Sequence, residues 1–494
     1  MIELIDRAYH HSNKQAILSN GIAFTYPDIL DRSGTLASLL LQEQDDLSES
    51  RVAYMVSPGY DYVTAQWAIW RAGGIAVPLC TTHPLPALQY TIEDSDASIL
   101  IISREYLLIL EDWAKNKGIR ILCLEDVHRV PSSRKRLPDI TPTRRAMILY
   151  TSGTTNLPKG VVTTHTNITA QISTLVSSWE WAPSDHILCV LPLHHVHGII
   201  NVVSCALWSG ATVEFLPAFS PSSVFEKFLE GRINLFMAVP TIYFKLIAYW
   251  VSLPGGQQTQ ITSHLSRFRL MVSGSAALPE SIMQKWKSIS GHTLLERYGM
   301  TEIGMGISNP YRGERKPGFI GLPLPGVSVR LADENNNVVP DDIPGEIQIK
   351  GVNVFHEYWR KPDATAKSFT PDGWFKTGDI GIVEQGYYKI LGRDSIDIIK
   401  SGGYKISALE IEEVLRTHPI IIDCSVIGIP DEEWGDIVAA VLILQEKHLD
   451  VDQLNPWIRL KLPAYKCPRR YKILDELPRN AMGKVTKNEL KNLF

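Results

Sequence analysis

Between residues 50 and 330 the chain alternates short apolar runs with amphipathic stretches, and this constrains the fold more than any other feature. The runs include 147–150 (MILY), 187–191 (ILCVL), 233–239 (INLFMAV) and 270–273 (LMVS). Runs this short are strands buried on both faces, as in a largely parallel sheet covered by helices. Between them lie helix-like segments at 221–230 and 279–289, the second opening on Pro279 and Glu280, good residues for a helix start. The pattern predicts an α/β architecture. At 494 residues the chain has room for about three structural units.

The texture changes near 317. From there to about 406, short strand-like pieces are divided by Gly and Pro (GFIGLPLPGVSVRLAD, GEIQIKG, GYYKILGR, IDIIKSGGYKIS). This predicts a β-hairpin-rich region, with Asp333–Asn337 as a polar turn. After Ser407, ALEIEEVLR reads as an amphipathic helix, CSVIGI and VAAVLIL as strands, and 452–461 as a second helix. The expected organisation is a large N-terminal α/β domain with a β-rich subdomain, residues 1–393, and a small α+β C-terminal domain, residues 394–494. The join falls around Gly392–Ser395.

Composition narrows the class. Hydrophobic residues at 45% and charged residues at 21% are ordinary for a soluble globular protein. A net charge of −4 does not suit a bulk nucleic-acid binder. The cysteines, Cys80, Cys123, Cys189, Cys205, Cys424 and Cys467, are scattered and form no CxxC pair, which points to a reducing compartment. The segment MIELIDRAYHH is neither a secretory signal nor a good transit peptide, so the expectation is a cytoplasmic protein. The most apolar stretch, 187–208, holds His194, His195, His197 and a proline, and reads as buried core rather than a membrane span.

The clearest chemical signal is YTSGTTNLPKG at 150–160. Thr151, Ser152, Thr154 and Thr155 offer four hydroxyls within five residues. Gly153 lets the backbone approach a ligand closely, backbone N–H groups can cradle anionic oxygens, and Lys159 adds a point charge. Phosphate binding is the obvious use. The segment is not a P-loop: counting from Gly153, the second glycine position holds Pro158 and the Ser/Thr position holds Gly160.

This loop resembles the phosphate-binding signature of the adenylate-forming superfamily of acyl-CoA synthetases, luciferases and peptide-synthetase adenylation domains. Further motifs follow in that superfamily's order: LPLHHVHG (191–198), GSAALP (274–279), RYGMTE (297–302), GWFKTGD (373–379), GRDSIDIIKSGGYKIS (392–407) and PRNAMGK (478–484). The resemblance implies a two-step reaction. A carboxylate attacks the α-phosphorus of ATP and releases pyrophosphate, and the thiol of coenzyme A then displaces AMP.

The resemblance assigns roles one by one. Glu302 is the Mg²⁺-associated carboxylate, and Thr301 a hydroxyl near the α-phosphate. Tyr298 offers a face for adenine; Gly274, Ser275, Gly299 and Met300 line the nucleotide. Asp379 takes the ribose hydroxyls, as an ionised carboxylate can, and Arg393 adds a ribose or phosphate contact. Lys484 swings over the α-phosphate during adenylation, a task suited to a compact, flexible ammonium. The C-terminal domain pivots around Asp394, so that Ser401, Gly402, Gly403 and Tyr404 face the thiol entry in the second step. His195 lies near the acyl and thiol channel. A metal site on HHVHG is disfavoured, since no Cys or carboxylate completes a ligand set.

The acid is read from Arg297. Many monocarboxylate-activating relatives carry Gly immediately before the YGMTE tyrosine. A guanidinium in the pocket is a costly unpaired charge unless an anion meets it. A second carboxylate on a short substrate would do so, which predicts a small dicarboxylic acid, with Ser275 beside it. The stretch 294–327 resembles malonyl-CoA synthetases, and 397–412 their eukaryotic-type members. Malonate leads, with methylmalonate second; Arg297 in a structural salt bridge with Glu296 or another acid is the competing explanation. Two other functions compete: a ligase for a short- or medium-chain monocarboxylate, and a non-catalytic nucleotide sensor, which the presence of Lys484 and Glu302 disfavours. A peptide-synthetase adenylation domain is disfavoured too, for want of a carrier domain after the lysine motif. The partners expected are small molecules, with no nucleic acid and no membrane insertion.

Overall fold

Strand Leu235–Ala238 shows why the apolar runs lack alternation: Leu235 and Met237 enter one core, Phe236 and Ala238 another on the opposite face of the same sheet. Strand Arg51–Met55 divides likewise, Val52 and Tyr54 to one side, Ala53 and Met55 to the other. With both faces covered, every strand residue must be apolar. The structure, a computed structural model, describes residues 2–127, 135–151, 157–402, 404–445, 451–480 and 483–494.

Two large sheets form the N-terminal part. The first has nine strands. Its parallel run is ordered Leu295–Met300, Leu270–Ser273, Leu235–Ala238, His186–Cys189, Thr212–Phe215, Gln15–Ser19. Antiparallel strands flank it: Gly304–Ser308 and Leu322–Pro323 on one side, Ile22–Thr25 on the other. The second sheet has seven strands, with Ile75–Pro78, Arg51–Met55, Ile99–Ile102 and Arg120–Cys123 parallel beside Arg145–Thr151. Helices Tyr26–Leu41, Tyr60–Arg71 and His165–Ser178 share one core with the inward faces of both sheets. Trp67, Trp70 and Trp179 are fully buried there. Each such ring contributes roughly 4–6 kcal/mol of transfer free energy as an upper bound. Thr164 closes a capping box with Asn167 at the start of His165–Ser178, satisfying N–H groups the helix leaves unpaired.

The change of texture near 317 is a third, antiparallel sheet: Val327–Ala332, Gly345–Gly351, Phe375–Glu384 and Tyr387–Arg393. The small C-terminal domain has five strands and its own cores, one around Ile399, Ile411, Val426 and Leu442, the other around Ile427, Ile437 and Leu490. Helix Ala408–Arg416 falls on ALEIEEVLR. Between the two parts, strand Tyr387–Arg393 ends at Asp394, whose N–H donates to the Gly378 carbonyl at 3.0 Å, and Ile398–Ser401 opens the next sheet.

The 187–208 stretch is buried, but as strand His186–Cys189 followed by a π-wound helix, His197–Ser204, and an α turn, Cys205–Trp208. Apolar content announces its burial and not its winding. π turns are rare and gather near functional sites, and this one begins at the histidine motif. No helix of the described residues is long and apolar enough to cross a membrane.

Candidate active site

Arg297 lies on the outermost strand of the parallel run, and Gly274–Ser275 follow directly on its neighbour, Leu270–Ser273. Ligands of open α/β sheets gather at this edge, beyond the carboxyl ends of the strands. Side chains alternate along a strand, so Glu296 and Arg297 point to opposite faces.

Arg297 is 3% exposed. Its Nη2 donates to Ser275 Oγ at 3.2 Å, while Nε has no acceptor. No ion pair joins it to an acid among the described residues, so the competing salt bridge with Glu296 does not form. Burial pushes its pKa down to about 9, against the attraction of Glu296. A Cβ on Gly274 would stand 2.6 Å from the guanidinium carbon, so only glycine leaves room for it. Ser275 sits at φ 70°, a region that disfavours residues other than glycine. Its hydroxyl also meets His197 Nδ1 at 3.1 Å; His197 Nε2 has no partner. Burial and then the Arg297 charge hold His197 well below the usual histidine range. The cation thus keeps unsatisfied donor capacity and is grouped with a hydroxyl and a neutral imidazole.

A second group forms around Asp379, 8% exposed. Tyr298 donates its hydroxyl to Oδ2 at 2.6 Å, and Arg393 Nε reaches Oδ1 at 2.9 Å. Asp379 and Arg393 face each other across the ladder of their two strands, so the pairing follows from register. Most of the Tyr298 ring is committed to the core. Glu302, 6% exposed, accepts from Tyr358 at 2.9 Å. Burial raises its pKa, opposed by that hydrogen bond and by Arg393 and Lys159. The Lys159 ammonium lies 4.9 Å from the centre of the Tyr358 ring. Half-buried Thr301 and Met300 lead into Glu302. Gly299 has a packing reason to be glycine: a Cβ there would lie 2.0 Å from the Gly304 carbonyl oxygen.

Thr151 pairs with Lys159 in register at the base of a hairpin. The phosphate-loop candidates Ser152, Gly153, Thr154 and Thr155, and also Gly403, lie outside the described residues. The flanking elements are two antiparallel strands, Arg145–Thr151 and Lys159–Thr164, whereas a P-loop joins a strand to a helix.

Lys484 comes from the C-terminal domain, its loop seated so that Gly483 lies against Thr241. Lys484 is exposed, although protein closely surrounds its ammonium. Its pKa is lowered by burial first and then by Arg393 and Arg297, against the pull of Asp379 and Glu302. These are the groups assembled at the other motifs. His195 is held well below the usual range by burial, then by His194, Lys484 and His83. The Lys484 ammonium therefore lies within electrostatic reach of Arg297, Asp379, Arg393, Glu302 and His195.

Other candidates stand apart. Ser401 is buried in its hairpin, Gly402 packs on the Trp434 ring, and Tyr404, 56% exposed, stacks on Tyr465 at 4.5 Å. Those are contacts within the C-terminal domain. Asp394, at the junction, lies 3.6 Å from Lys400. The sequence reading passed over three partners: His197 on Ser275, Tyr358 on Glu302, and Tyr298 on Asp379. His197 stood inside the histidine motif, but choosing it over His195 required the helix winding.

The chain belongs to the AMP-binding enzyme family, whose pattern matches residues 4–359; the AMP-binding enzyme C-terminal domain matches residues 410–484. It is 45% identical to the mitochondrial malonate–CoA ligase ACSF3 of Mus musculus, over 99% of this chain and 88% of that one. It is 37% identical to a malonate–CoA ligase of Arabidopsis thaliana, over 98% and 87%. ATP-bound MatB from Rhodopseudomonas palustris, 33% identical, superposes over 100% of this chain and 98% of that one with a TM-score of 0.92; the apo form of the same protein gives 0.83.

On the other face of the Arg297 strand, Glu296 is buried. Burial raises Glu296 to about 8, and Glu413 and Glu280 add to the shift; Leu278 N–H bonds Oε1 at 3.1 Å, and Oε2 has no partner. Folding therefore takes up a proton at neutral pH, and stability falls as pH rises from the usual carboxylate range towards about 8. Glu296→Gln keeps the Leu278 bond and removes the charge. It is expected to raise unfolding stability by about 2–4 kcal/mol near pH 8 and by under about 1 kcal/mol near pH 5, measured by urea denaturation.

Proposed function

We propose that this protein is a malonate–CoA ligase. It joins a short dicarboxylic acid to coenzyme A at the expense of ATP, through an acyl-adenylate, with release of pyrophosphate and AMP. The observation that carries the reading is the buried guanidinium of Arg297, bonded to one hydroxyl and, among the described residues, to no acid. A charge in that position is costly alone and favourable with a carboxylate against it. The names of the mouse and Arabidopsis relatives support the same substrate.

In the first half-reaction the distal carboxylate rests on Arg297 and Ser275, with His197 behind them. The proximal carboxylate attacks the α-phosphorus, the bond to the β-phosphate oxygen breaks, and pyrophosphate leaves. Lys484 stands over the oxygens where charge accumulates, and Thr301 adds a donor. Asp379 and Arg393 hold the ribose; Tyr298, Gly274, Gly299 and Met300 border the nucleotide. Thr151, Lys159 and the 152–155 loop take the phosphates. Glu302 is suited to Mg²⁺, a hard oxygen ligand fixed by Tyr358 at one oxygen and left with capacity at the other. When bound, that ion supplies neutralisation of the phosphate charge.

In the second half-reaction the thiol sulfur attacks the acyl carbon, its proton passes to solvent, and AMP leaves. The C-terminal domain, residues 394–494, turns about Asp394 between the steps. Ser401, Gly402, Gly403 and Tyr404 then border the thiol entry, and His195 the acyl end of the channel. The higher TM-score against the ATP-bound relative supports assigning the present orientation to the first step. All six cysteines are free, which fits a reducing compartment. The cytoplasm is the reading offered, although the name of the mouse relative carries the word mitochondrial.

Removing one partner of a buried ion pair costs ~3–5 kcal/mol, or roughly 10²–10³·⁵ in binding. Arg297→Gly is therefore expected to depress malonate-dependent pyrophosphate release by about that factor, while sparing or raising activity with a short monocarboxylate. An equal fall with both acids would refute the assignment.

A further inference from the structure

Three residues beyond Lys484 stands a second lysine that the reaction does not use. Lys487 opens helix Lys487–Lys491, and its side chain is 9% exposed. Its ammonium lies 2.7 Å from Asp397 Oδ1 and 2.8 Å from Glu412 Oε1. Burial alone would push its pKa down; Glu412 and Asp397 outweigh that and hold it raised. Surface lysines seldom hold such positions, because ordering the long side chain and drying the charge both cost free energy.

Asp397 has two tasks. One oxygen takes Lys487, and the other accepts the Arg393 N–H at 3.1 Å, while the Asp397 N–H donates to the Arg393 carbonyl at 2.8 Å. Those bonds span Asp394. They tie the lysine segment to the chain reversal beside which Arg393 grips Asp379. Glu412 is fixed in turn: Oε1 also accepts the Val426 N–H at 2.8 Å, and Oε2 takes Arg416 at 3.3 Å.

The opposite foot of the Lys484 loop is held as well. Arg479 donates to the Gly483 carbonyl at 2.8 Å and pairs with Asp423 at 2.6 Å. Asp423 lies 3.5 Å from Arg416, which closes the circuit back to Glu412. The Asn480 N–H donates to the Lys484 carbonyl at 2.9 Å across the loop. The segment bearing Lys484 is thus clamped at Arg479 and at Lys487 by one ionic network.

We propose that Lys487 is a positioning residue for Lys484: through Asp397 and Glu412 it fixes the lysine loop to the 393–397 turn, so that Lys484 is delivered to the cleft when Arg393 is on Asp379. The inference rests on the reading above that Lys484 serves adenylation. A purely structural role would weaken both half-reactions alike, whereas a positioning role weakens the first alone.

The test measures the two halves separately in the full-length protein. The first is malonate-dependent exchange of pyrophosphate into ATP; the second is thioester formation from preformed malonyl-adenylate and coenzyme A. Lys487→Met is expected to lower the exchange about 10²-fold, the scale of a reacting group misplaced by about 1 Å, and to leave thioester formation within about twofold. Asp397→Asn keeps an acceptor for the Arg393 N–H but removes the ion pair, and is expected to show the same split at smaller amplitude. Should Lys487→Met prove unstable, Asp397→Asn decides. An equal fall in both halves, or unchanged exchange, overturns the proposal. Wild-type protein inert towards malonate would instead overturn the substrate reading; the split is then measured with an acid that the wild type does activate.

Discussion

Arg297 buries a positive charge with no ion-pair partner among the described residues. Arg297 stands on the last strand of the parallel run, over a glycine that leaves it space, with a serine hydroxyl as its bonded neighbour. A protein interior tolerates an unpaired ion poorly. The surroundings answer by lowering its pKa and by keeping the neighbouring imidazole neutral, not by supplying a carboxylate. We propose that the substrate supplies the missing counter-charge.

The remaining cations follow the same economy. Arg393 is occupied by Asp379, whereas Lys484 stays within reach of solvent between opposing influences, Arg393 and Arg297 on one side and Asp379 and Glu302 on the other. We propose that such a group serves anions that arrive and depart. The C-terminal domain has cores of its own and meets the larger part at contacts such as Lys405 with Glu334 at 2.7 Å. Stiffness within that domain, from the Lys487 network, and freedom between domains are complementary requirements of the role proposed for Lys484.

Much of the fold was legible because burial on both faces writes itself as uninterrupted apolar runs. MILY, LFMA and LMVS all became strands of the expected kind, and ALEIEEVLR became the helix its periodicity describes. What periodicity does not carry is who sits beside whom. Strand Gln15–Ser19 joins the parallel run against Thr212–Phe215, a pairing that no local pattern announces. At the site, Arg297 stood out because an arginine replaced the expected glycine in a readable motif. Tyr358 and His197 carried no such mark, since their importance lies in what they touch. No local pattern marks Lys487; only tertiary structure shows it paired with two acids from separate elements.

We propose that the fixed cation at Arg297 selects a short molecule charged at both ends. Pyrophosphate release by the wild-type protein, with ATP, Mg²⁺ and coenzyme A, across malonate, methylmalonate, acetate, butyrate and octanoate, tests it most directly. The account predicts kcat/KM for malonate above that for every monocarboxylate by about 10² or more, the value of one buried carboxylate–guanidinium pair. Equal or better turnover of the four- and eight-carbon monocarboxylates would contradict it.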